Sequence, residues 1–275
     1  MDSAKDIVLK PITAQEANEL VRRVHYSGKV VQNSQLHIGV YYNGKLEGAM
    51  QFGPSLDKRK IQGLVKDTGW HEFIELNRMA FTDVLPRNSE SRALSIGMKL
   101  LRKYAPQIKW VVTFADGTQC GDGTIYRAAG FVLTGITENK SILELPDGFR
   151  FALTSVCAQG KKGGAKVKQE VKNRIVSHTT ITKGSHILET GSTSIKPYLD
   201  AGAKFKDGFQ LRYIYFIDPT YREKLTVPEL PYSEIQRRGA GMYKGQPRGR
   251  GEIDNAPQSN EETGGASPTR PLESL

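Results

Sequence analysis

Apolar and polar positions alternate in blocks along the first half of the chain, and each block has the period of a helix or a strand. Residues 13–25 (TAQEANELVRRVH) have the helical period, with Thr13 as the N-cap and Glu16 completing a capping box. Two apolar runs, LHIGVYYNG and KLEGAMQFG, meet at Asn43-Gly44, which is a strong two-residue signal for a hairpin. The pattern therefore predicts a helix followed by an antiparallel pair of strands.

A β-α-β unit is predicted over residues 74–131. The apolar run IELNRMAF is followed by a turn at residues 85–88, by the helical segment SESRALSIGMKLLRKYAP with Ser89 as its N-cap, and by a second apolar strand, KWVVTFAD. A Gly/Asp-rich loop leads into GTIYRAAGF, a short helix opened by Gly123-Thr124. Because ligands of open α/β sheets bind where strands end, this unit indicates where to look for chemistry.

The second half of the chain differs in composition. Residues 159–207 are rich in Gly, Lys, Ser and Thr, so we predict a basic insertion or arm before the last strand, GFQLRYIYFID. Residues 237–275 are predicted to form a disordered tail. Residues 1–236, including the insertion, are predicted to form one domain.

Length and composition exclude several classes of protein. A chain of 275 residues can bury a sizeable core, and its apolar runs are shorter than the ~20 residues that span a bilayer. The N-terminus carries acids and no long apolar run, so it does not resemble a secretory signal. Cys120 and Cys157 form neither a disulfide framework nor a metal-binding pair. We therefore expect a cytoplasmic protein without a membrane partner.

Positive charge is concentrated between residues 159 and 250, which hold 18 Lys/Arg against 8 Asp/Glu. A basic segment of this density attracts polyanions such as DNA by counterion release. A solvated, solubilising surface explains the same charge equally well.

The predicted order of elements resembles the GNAT acyltransferase fold, and GTIYRAAGF resembles the usual ending of that fold. Over roughly residues 20–235, the combination HYS, ELNRMAF, SESRALS, FADGTQCGDGTIYRAAGF and LRYIYFID closely resembles the phage Mom family of DNA adenine modification proteins. Members convert adenine in phage DNA to N6-carbamoylmethyladenine, which blocks host restriction. The resemblance implies an α/β (α+β) fold with a mixed, mostly antiparallel sheet flanked by helices, and the activity of a DNA-modifying transferase.

The resemblance also implies the catalytic residues. A base such as His25 or Asp116 would take a proton from the adenine N6 group, and Arg78 would stabilise a carboxylate or carbonyl of the donor. Tyr26 would stack on the base, and Tyr126 would protonate a leaving thiolate. The implied catalytic set is His25, Tyr26, Arg78, Ser91, Asp116 and Tyr126.

The donor of the transferred group stays open, and a glycine- or acyl-CoA-derived molecule fits the resemblance. Ordinary GNAT enzymes bind the pyrophosphate of coenzyme A with a glycine-containing loop before the core helix, whereas this chain has PRNSESRALS there. Backbone amides at the start of a helix can still bind an anion. The candidate cofactor-binding residues are Arg87, Ser89, Ser91 and Arg92.

Iron and DNA are the other implied partners. The family is linked to iron, which implies Fe²⁺ with His25, Tyr26 and Asp116 as ligands. DNA would be held without sequence preference through the basic region 159–250. The oligomeric state stays open, with a homodimer as one candidate.

Several of these residues also fit ordinary structural roles. Asp116, which precedes Gly117, has the pattern of a turn former, and His25 that of a charge at a helix C-terminus. Ser91 is an ordinary first-turn residue, and Arg78 has Glu75 or Asp116 as structural partners. At the level of function, the alternatives are a conventional N-acetyltransferase that uses acetyl-CoA on a small amine or protein, and a non-catalytic DNA-binding protein on a GNAT-like scaffold.

Overall fold

The computed structural model describes residues 3–25, 28–146, 148, 150–153, 195–200, 202–243 and 246–247. Three parts of the chain on which predictions rest lie outside the described residues, namely Tyr26, residues 159–194 and residues 248–275.

In chain order, the helices and strands are β1 (Val8–Pro11), α1 (Ala14–Val24), β2 (Leu36–Tyr42), β3 (Lys45–Gly53), α2 (Lys58–Gln62), β4 (Phe73–Phe81), α3 (Ser89–Tyr104), β5 (Trp110–Asp116), α4 (Thr124–Ala128), β6 (Val132–Glu138), β7 (Ile142–Glu144), β8 (Arg150–Ala152), α5 (Lys196–Asp200), β9 (Lys204–Lys206), β10 (Phe209–Phe216), α6 (Ser233–Arg237), β11 (Met242–Tyr243) and β12 (Gln246–Pro247). Short 3-10 helices occupy Ala4–Asp6 and Pro219–Lys224.

The start of α1 and the first hairpin follow the predicted local signals. The Glu16 N–H donates to the Thr13 hydroxyl at 3.2 Å, and the Thr13 N–H donates to the Glu16 carboxylate at 2.8 Å. In the hairpin turn, Asn43 and Gly44 both have positive φ values, 49° and 77°, as a type I′ turn requires. Both predictions are confirmed.

The start of α3 differs from the prediction. Asn88, not Ser89, is the N-cap, with a φ of 70° in the left-handed region that asparagine tolerates better than most residues. The Ser89 N–H donates to the Pro86 carbonyl at 3.1 Å, which closes a turn and makes Ser89 the first helical residue. The prediction of Ser89 as cap is therefore wrong, because the turn after Pro86 sets where the helix begins.

The main sheet has the strand order β1-β2-β3-β4-β5-β10-β6. Within it, β4 and β5 pair parallel, as the β-α-β unit β4-α3-β5 predicts, and the other neighbours pair antiparallel. The predicted mixed, mostly antiparallel sheet flanked by helices is confirmed. The predicted last strand, β10, lies between β5 and β6 rather than at an edge.

A gap opens between β4 and β5 because their pairing is short. It covers only the start of each strand, from Phe73↔Trp110 to Glu75↔Val112. In its pairing with β3, β4 has a one-residue bulge at Asn77, since Leu76 pairs with Phe52 and Arg78 with Gln51. A bulge bends and twists the strand that contains it. The two strands therefore separate beyond Glu75.

Helices cover both faces of the sheet. In β3, Ala49 packs against α1 and the next residue, Met50, belongs to the core cluster under α3. Because successive side chains of a strand point to opposite faces, α1 and α3 lie on opposite sides, which we call the α1 face and the α3 face. The helix α2 lies on the α1 face, since its Ile61 clusters with Phe73, whereas the neighbouring Ile74 belongs to the α3-face core.

The chain is folded in parts of the predicted arm and tail. Within the insertion, β9 pairs with β7 in a three-stranded sheet, and Tyr198 of α5 is buried. Beyond Arg237, Ala240 and Met242 are buried as well. The overall Gly/Lys composition gave no sign of these buried apolar side chains. The division into residues 1–236 and a disordered tail at 237–275 stays a prediction. The remaining parts of both segments lie outside the described residues.

Candidate active site

A cleft of about 660 Å³ occupies the gap between β4 and β5. Four of the predicted catalytic residues line it, namely His25, Arg78, Asp116 and Tyr126. They come from the end of α1, from the two separating strands and from α4. The fold therefore brings together residues that are up to about a hundred positions apart in the chain.

The cleft runs through the sheet from one face to the other. Arg78 pairs with Gln51, whose side-chain N–H donates to Asn18 of α1 at 2.9 Å, so Arg78 lies on the α1 face. Asp116 lies on this face too, because it is two residues beyond Phe114, which packs against the core shared by α2. Tyr126 belongs to the core under α3. This geometry allows two reactants to meet from opposite sides.

His25 is an uncharged hydrogen-bond acceptor at neutral pH. Burial of the imidazole, and after it the positive charge of Arg78, lower the pKa of His25 to about 4. The backbone N–H of His25 donates to the Val21 carbonyl at 3.0 Å, at the end of α1. A histidine that serves as a charge at a helix C-terminus would need a raised pKa instead. The electrostatics therefore argue against that structural role.

Arg78 is oriented by backbone carbonyls. Its Nε donates to the Lys29 carbonyl at 3.0 Å and its Nη1 to the Asn77 carbonyl at 2.6 Å. Among the described ion pairs, none joins Arg78 to Glu75 or Asp116, the partners considered from the sequence. Within the described residues, backbone carbonyls rather than an ion pair therefore hold the guanidinium in place.

Asp116 is both a turn former and a buried carboxyl group. Its Oδ1 accepts the Thr118 N–H at 3.0 Å and the Asn139 side-chain amide at 3.3 Å, which fixes the turn after β5. Burial raises the pKa of Asp116, and these hydrogen bonds oppose that rise. The structural role of Asp116 is therefore real, and it leaves the carboxyl group at the wall of the cleft.

Tyr126 is a neutral phenol inside the α3-face core. Its ring lies 5.6 Å from that of Phe131 and 5.5 Å from that of Tyr213, measured between centroids. Burial raises the pKa of Tyr126 to about 12, and a hydrogen bond with the Thr113 side chain opposes the rise. The hydroxyl therefore stays protonated across the physiological range and can donate a proton or a hydrogen bond.

Comparison with known proteins decides the family. A family model described as the Mom protein family matches residues 6–234. The chain belongs to the Mom protein family. It is 34% identical over 177 residues to Methylcarbamoylase mom of Escherichia phage Mu, an alignment that covers 64% of this chain and 72% of the phage protein. The resemblance predicted from the motifs is confirmed.

Some solved structures that the comparison matches to this chain are described as acetyltransferases. One from Bacillus subtilis, in complex with CoA, covers 76% of this Mom-family chain and 97% of its own, at 8% identity and a TM-score of 0.38. A putative GNAT-family acetyltransferase from Desulfovibrio desulfuricans covers 77% and 99%, at 10% identity and a TM-score of 0.36. Similarity of this size carries no argument about cofactor or activity.

Sequence reasoning missed two carboxyl groups that line the Mom-family cleft. Glu75 of β4 and Glu90 of α3 line it, and burial raises the pKa of each. The negative charge of Asp83 raises the pKa of Glu90 further. Glu75 could have been predicted as a site residue, because a carboxylate inside an apolar strand is unusual. The sequence suggested it only as a partner of Arg78. Glu90 carried no signal, because an acid in the first turn of a helix is ordinary.

The predicted cofactor-binding turn lies apart from the cleft. Arg87, Ser91 and Arg92 line a separate concavity of about 480 Å³ at the start of α3, whereas Ser89 is buried. The Ser91 hydroxyl donates to the Asn88 carbonyl at 3.2 Å, the ordinary role of a first-turn serine. Ser91 is therefore not placed with the other predicted catalytic residues. Two arginines beside a helix N-terminus form a suitable site for an anion, such as a phosphate group of a cofactor. That a cofactor binds at this turn stays a prediction.

The predicted iron site of this Mom-family protein also stays a prediction. The residues that the structure describes contain no group of three or more His, Cys, Asp or Glu side chains suited to a metal ion. Tyr26, one predicted ligand, lies outside the described residues. The neutral ring of His25 is a suitable ligand, but the nearby charge of Arg78 opposes a cation there.

The predicted DNA contact and the predicted homodimer are not tested by the residues that the structure describes. Of the basic region 159–250, the structure describes residues 195–200, 202–243 and 246–247, so the predicted DNA contact there stays a prediction, as does the homodimer. Within the described residues, no helix has the length and apolar character needed to cross a membrane.

Proposed function

We propose that this Mom-family protein is a transferase that converts adenine in phage DNA to N6-carbamoylmethyladenine and so protects that DNA from host restriction endonucleases. The observation that carries the proposal is the cleft through the sheet, which has proton acceptors on the α1 face and a neutral phenol on the α3 face. The similarity to Methylcarbamoylase mom supports the identity of the transferred group. The reaction would take place in the bacterial cytoplasm, where phage DNA is present.

On the α1 face, His25 and Asp116 would handle the adenine amino group. The N6 nitrogen is a weak nucleophile because its lone pair is delocalised into the ring, so a base must remove a proton as the new N–C bond forms. Burial raises the pKa of Asp116, which makes its carboxylate a stronger base than an ordinary one. The lowered pKa of His25 keeps its ring unprotonated, so that it accepts a hydrogen bond from the same amino group.

On the α3 face, Tyr126 would supply a proton to the donor's leaving group. A leaving group that departs as an anion is stabilised when it takes the phenolic proton, and the raised pKa of Tyr126 keeps that proton in place until then. From the α1 face, Arg78 would hold a carbonyl or carboxylate of the donor by charge-assisted hydrogen bonds where the donor meets the adenine. The turn that contains Arg87 and Arg92 would hold a phosphate of an acyl-CoA-derived donor; a glycine-derived donor would not use it.

The proposal is tested by expressing the chain in bacteria with plasmid DNA and analysing the digested nucleosides by mass spectrometry. We expect carbamoylmethylated deoxyadenosine, reduced roughly a hundredfold by Asp116→Asn, the order of magnitude for loss of a general base. Asp207→Asn, at an exposed position, is the matched control and should leave the yield unchanged. Unmodified adenine throughout, with soluble wild-type protein present, would refute the proposal.

The same experiment separates the alternatives. A conventional N-acetyltransferase would leave adenine unmodified and would bind acetyl-CoA, with acetylated amines or proteins as its products. A non-catalytic DNA-binding protein would protect DNA without changing any nucleoside, and Tyr126→Phe and Asp116→Ala would leave that protection intact.

A further inference from the structure

A fully exposed leucine stands beside the α1-face side of the cleft. Leu56 is 104% exposed, more than any other large hydrophobic residue that the structure describes. It lies in the turn between β3 and α2. A single exposed leucine on a protein surface is ordinary and needs no explanation. Leu56 differs from such residues in its position, because it lies close to the cleft and to several positive charges.

The backbone before Leu56 is held against two residues of the cleft wall. Gly53 pairs with Glu75, and the Asn77 side-chain amide donates to the Pro54 carbonyl at 3.4 Å. Ser55 is 5% exposed, and its side chain is close enough to Glu75 to lower the pKa of that carboxyl. Glu75 and Asn77 both line the cleft. Leu56 is therefore the first residue to project from an anchored segment at the rim.

The residues after Leu56 carry exposed positive charge. Arg59 and Lys60 of α2 are exposed, and within the described residues neither forms an ion pair with a carboxylate. Asp57 caps α2, since its carboxylate accepts the Lys60 N–H at 3.2 Å, and it offsets only one of the three cations at residues 58–60. We call residues 56–60 the α2 corner.

Exposed positive charge also lies at the end of α1, on the same face of the sheet as the α2 corner. The last turn of α1 carries Arg22 and Arg23, both exposed, three and two residues before His25, which lines the cleft. Since α1 and α2 lie on the same face of the sheet, that face carries two exposed cationic segments. Duplex DNA, with a phosphate on each strand, is a polyanion that two such segments can hold.

We propose that the α2 corner is the element that opens duplex DNA, with Leu56 entering the base stack at the position that the target adenine leaves, and Arg59 and Lys60 holding the adjacent phosphates. This inference rests on the proposed function, since the N6 group must leave its base pair to reach the cleft. Apolar side chains inserted between bases stabilise an unstacked step, and phosphate contacts hold the duplex in place while the base leaves. No covalent step is involved.

The opening role is tested by permanganate oxidation of thymines, which become reactive when their adenine partner is withdrawn. Purified protein is mixed with a duplex DNA fragment, so no target sequence need be known. We expect wild-type protein to create reactive sites, and Leu56→Ala to reduce both their intensity and the adenine modification in cells by roughly tenfold. Val8→Ala, a truncation of an exposed aliphatic residue on the edge strand β1, is the matched control and should match wild type.

The binding of phosphates by the α2 corner is tested by the salt dependence of DNA binding. Lys60→Glu should weaken binding and reduce the slope of log K against log salt by about 0.9 for each phosphate that the protein no longer neutralises. Lys45→Glu is the matched control, because Lys45 begins β3 at the opposite end of that strand from Gly53. Equal slopes for the two variants would overturn this part of the inference.

The outcomes separate this inference from the function on which it rests. If wild-type protein modifies adenine and Leu56→Ala does so equally well, the opening role is wrong and the function stands. If wild-type protein creates reactive thymines but no adenine is modified, the proposed function fails and the opening role stands. Because Leu56 is exposed, the variant should unfold at the wild-type temperature, which confirms that a loss is not due to misfolding.

Discussion

Replacing His25 with glutamine is expected to make the protein less sensitive to acid. Burial and the charge of Arg78 lower the pKa of His25 from 6.5 to about 4, so between these values the unfolded chain binds a proton that the folded protein does not. The stability supplied by the neutral imidazole is thus fully present above pH 6.5 and is lost as the pH falls toward 4. By linkage, lowering the pH from 7 to 5 removes on the order of 2 kcal/mol of this stability.

The measurement is the free energy of unfolding in urea at pH 7, 6 and 5. The difference between wild type and His25→Gln should shrink by that amount between pH 7 and pH 5, whereas His71→Gln, at an exposed histidine, should follow wild type. The raised pKa values of Glu75 and Asp116 act in the opposite direction, since they add stability as the pH falls, but both proteins share them. A difference that stays constant with pH would refute the assignment of His25 as a buried neutral acceptor.

Three further predictions concern the site and its support. Arg78→Met should raise the pKa of His25 only part of the way to 6.5, because burial is the larger cause and remains; titration of the imidazole by NMR measures this. Tyr126→Phe should lower adenine modification in cells by roughly ten- to a hundredfold, and it should lower the melting temperature only slightly, because the ring packing is kept and only the hydroxyl and its hydrogen bond with Thr113 are lost. Gly208→Ala should cost about 1–3 kcal/mol of stability in a thermal melt, because the new methyl group would overlap the Thr118 hydroxyl, and Thr118→Ala should partly restore it.

The elements that could be predicted from sequence are those set by local chemistry. The capping box of Thr13 and Glu16 fixes the start of α1, and Asn43-Gly44 fixes the first hairpin. The gap between β4 and β5 could not be predicted in this way. It depends on a bulge at Asn77 and on the point where parallel pairing stops, and neither leaves a periodic signal in the sequence.

The site shows the same division between local and tertiary information. The family motifs identified His25, Arg78, Asp116 and Tyr126, and the fold places these four in one cleft, although nothing yet tests their roles. The entry of Glu90 into the cleft depends on the angle at which α3 meets the sheet. Local sequence does not encode that angle, so a residue with an ordinary helical context became part of the cleft wall.

Under the proposed function, the distribution of charge would help the cleft to accept a base and to exclude the strand that carries it. Glu75, Glu90 and Asp116 line the cleft together with Arg78, so a phosphate that entered would meet several carboxyl groups as well as one guanidinium. The exposed cations Arg59 and Lys60 lie outside, where they attract phosphates instead. An uncharged adenine is neither repelled by the carboxyl groups nor attracted by the exposed cations. The free-energy cost of its entry is therefore the loss of base stacking and base pairing. If the proposal is right, the DNA backbone would stay at the rim while the adenine moves inward, and the cleft wall that disfavours phosphate would also supply Asp116 as the general base.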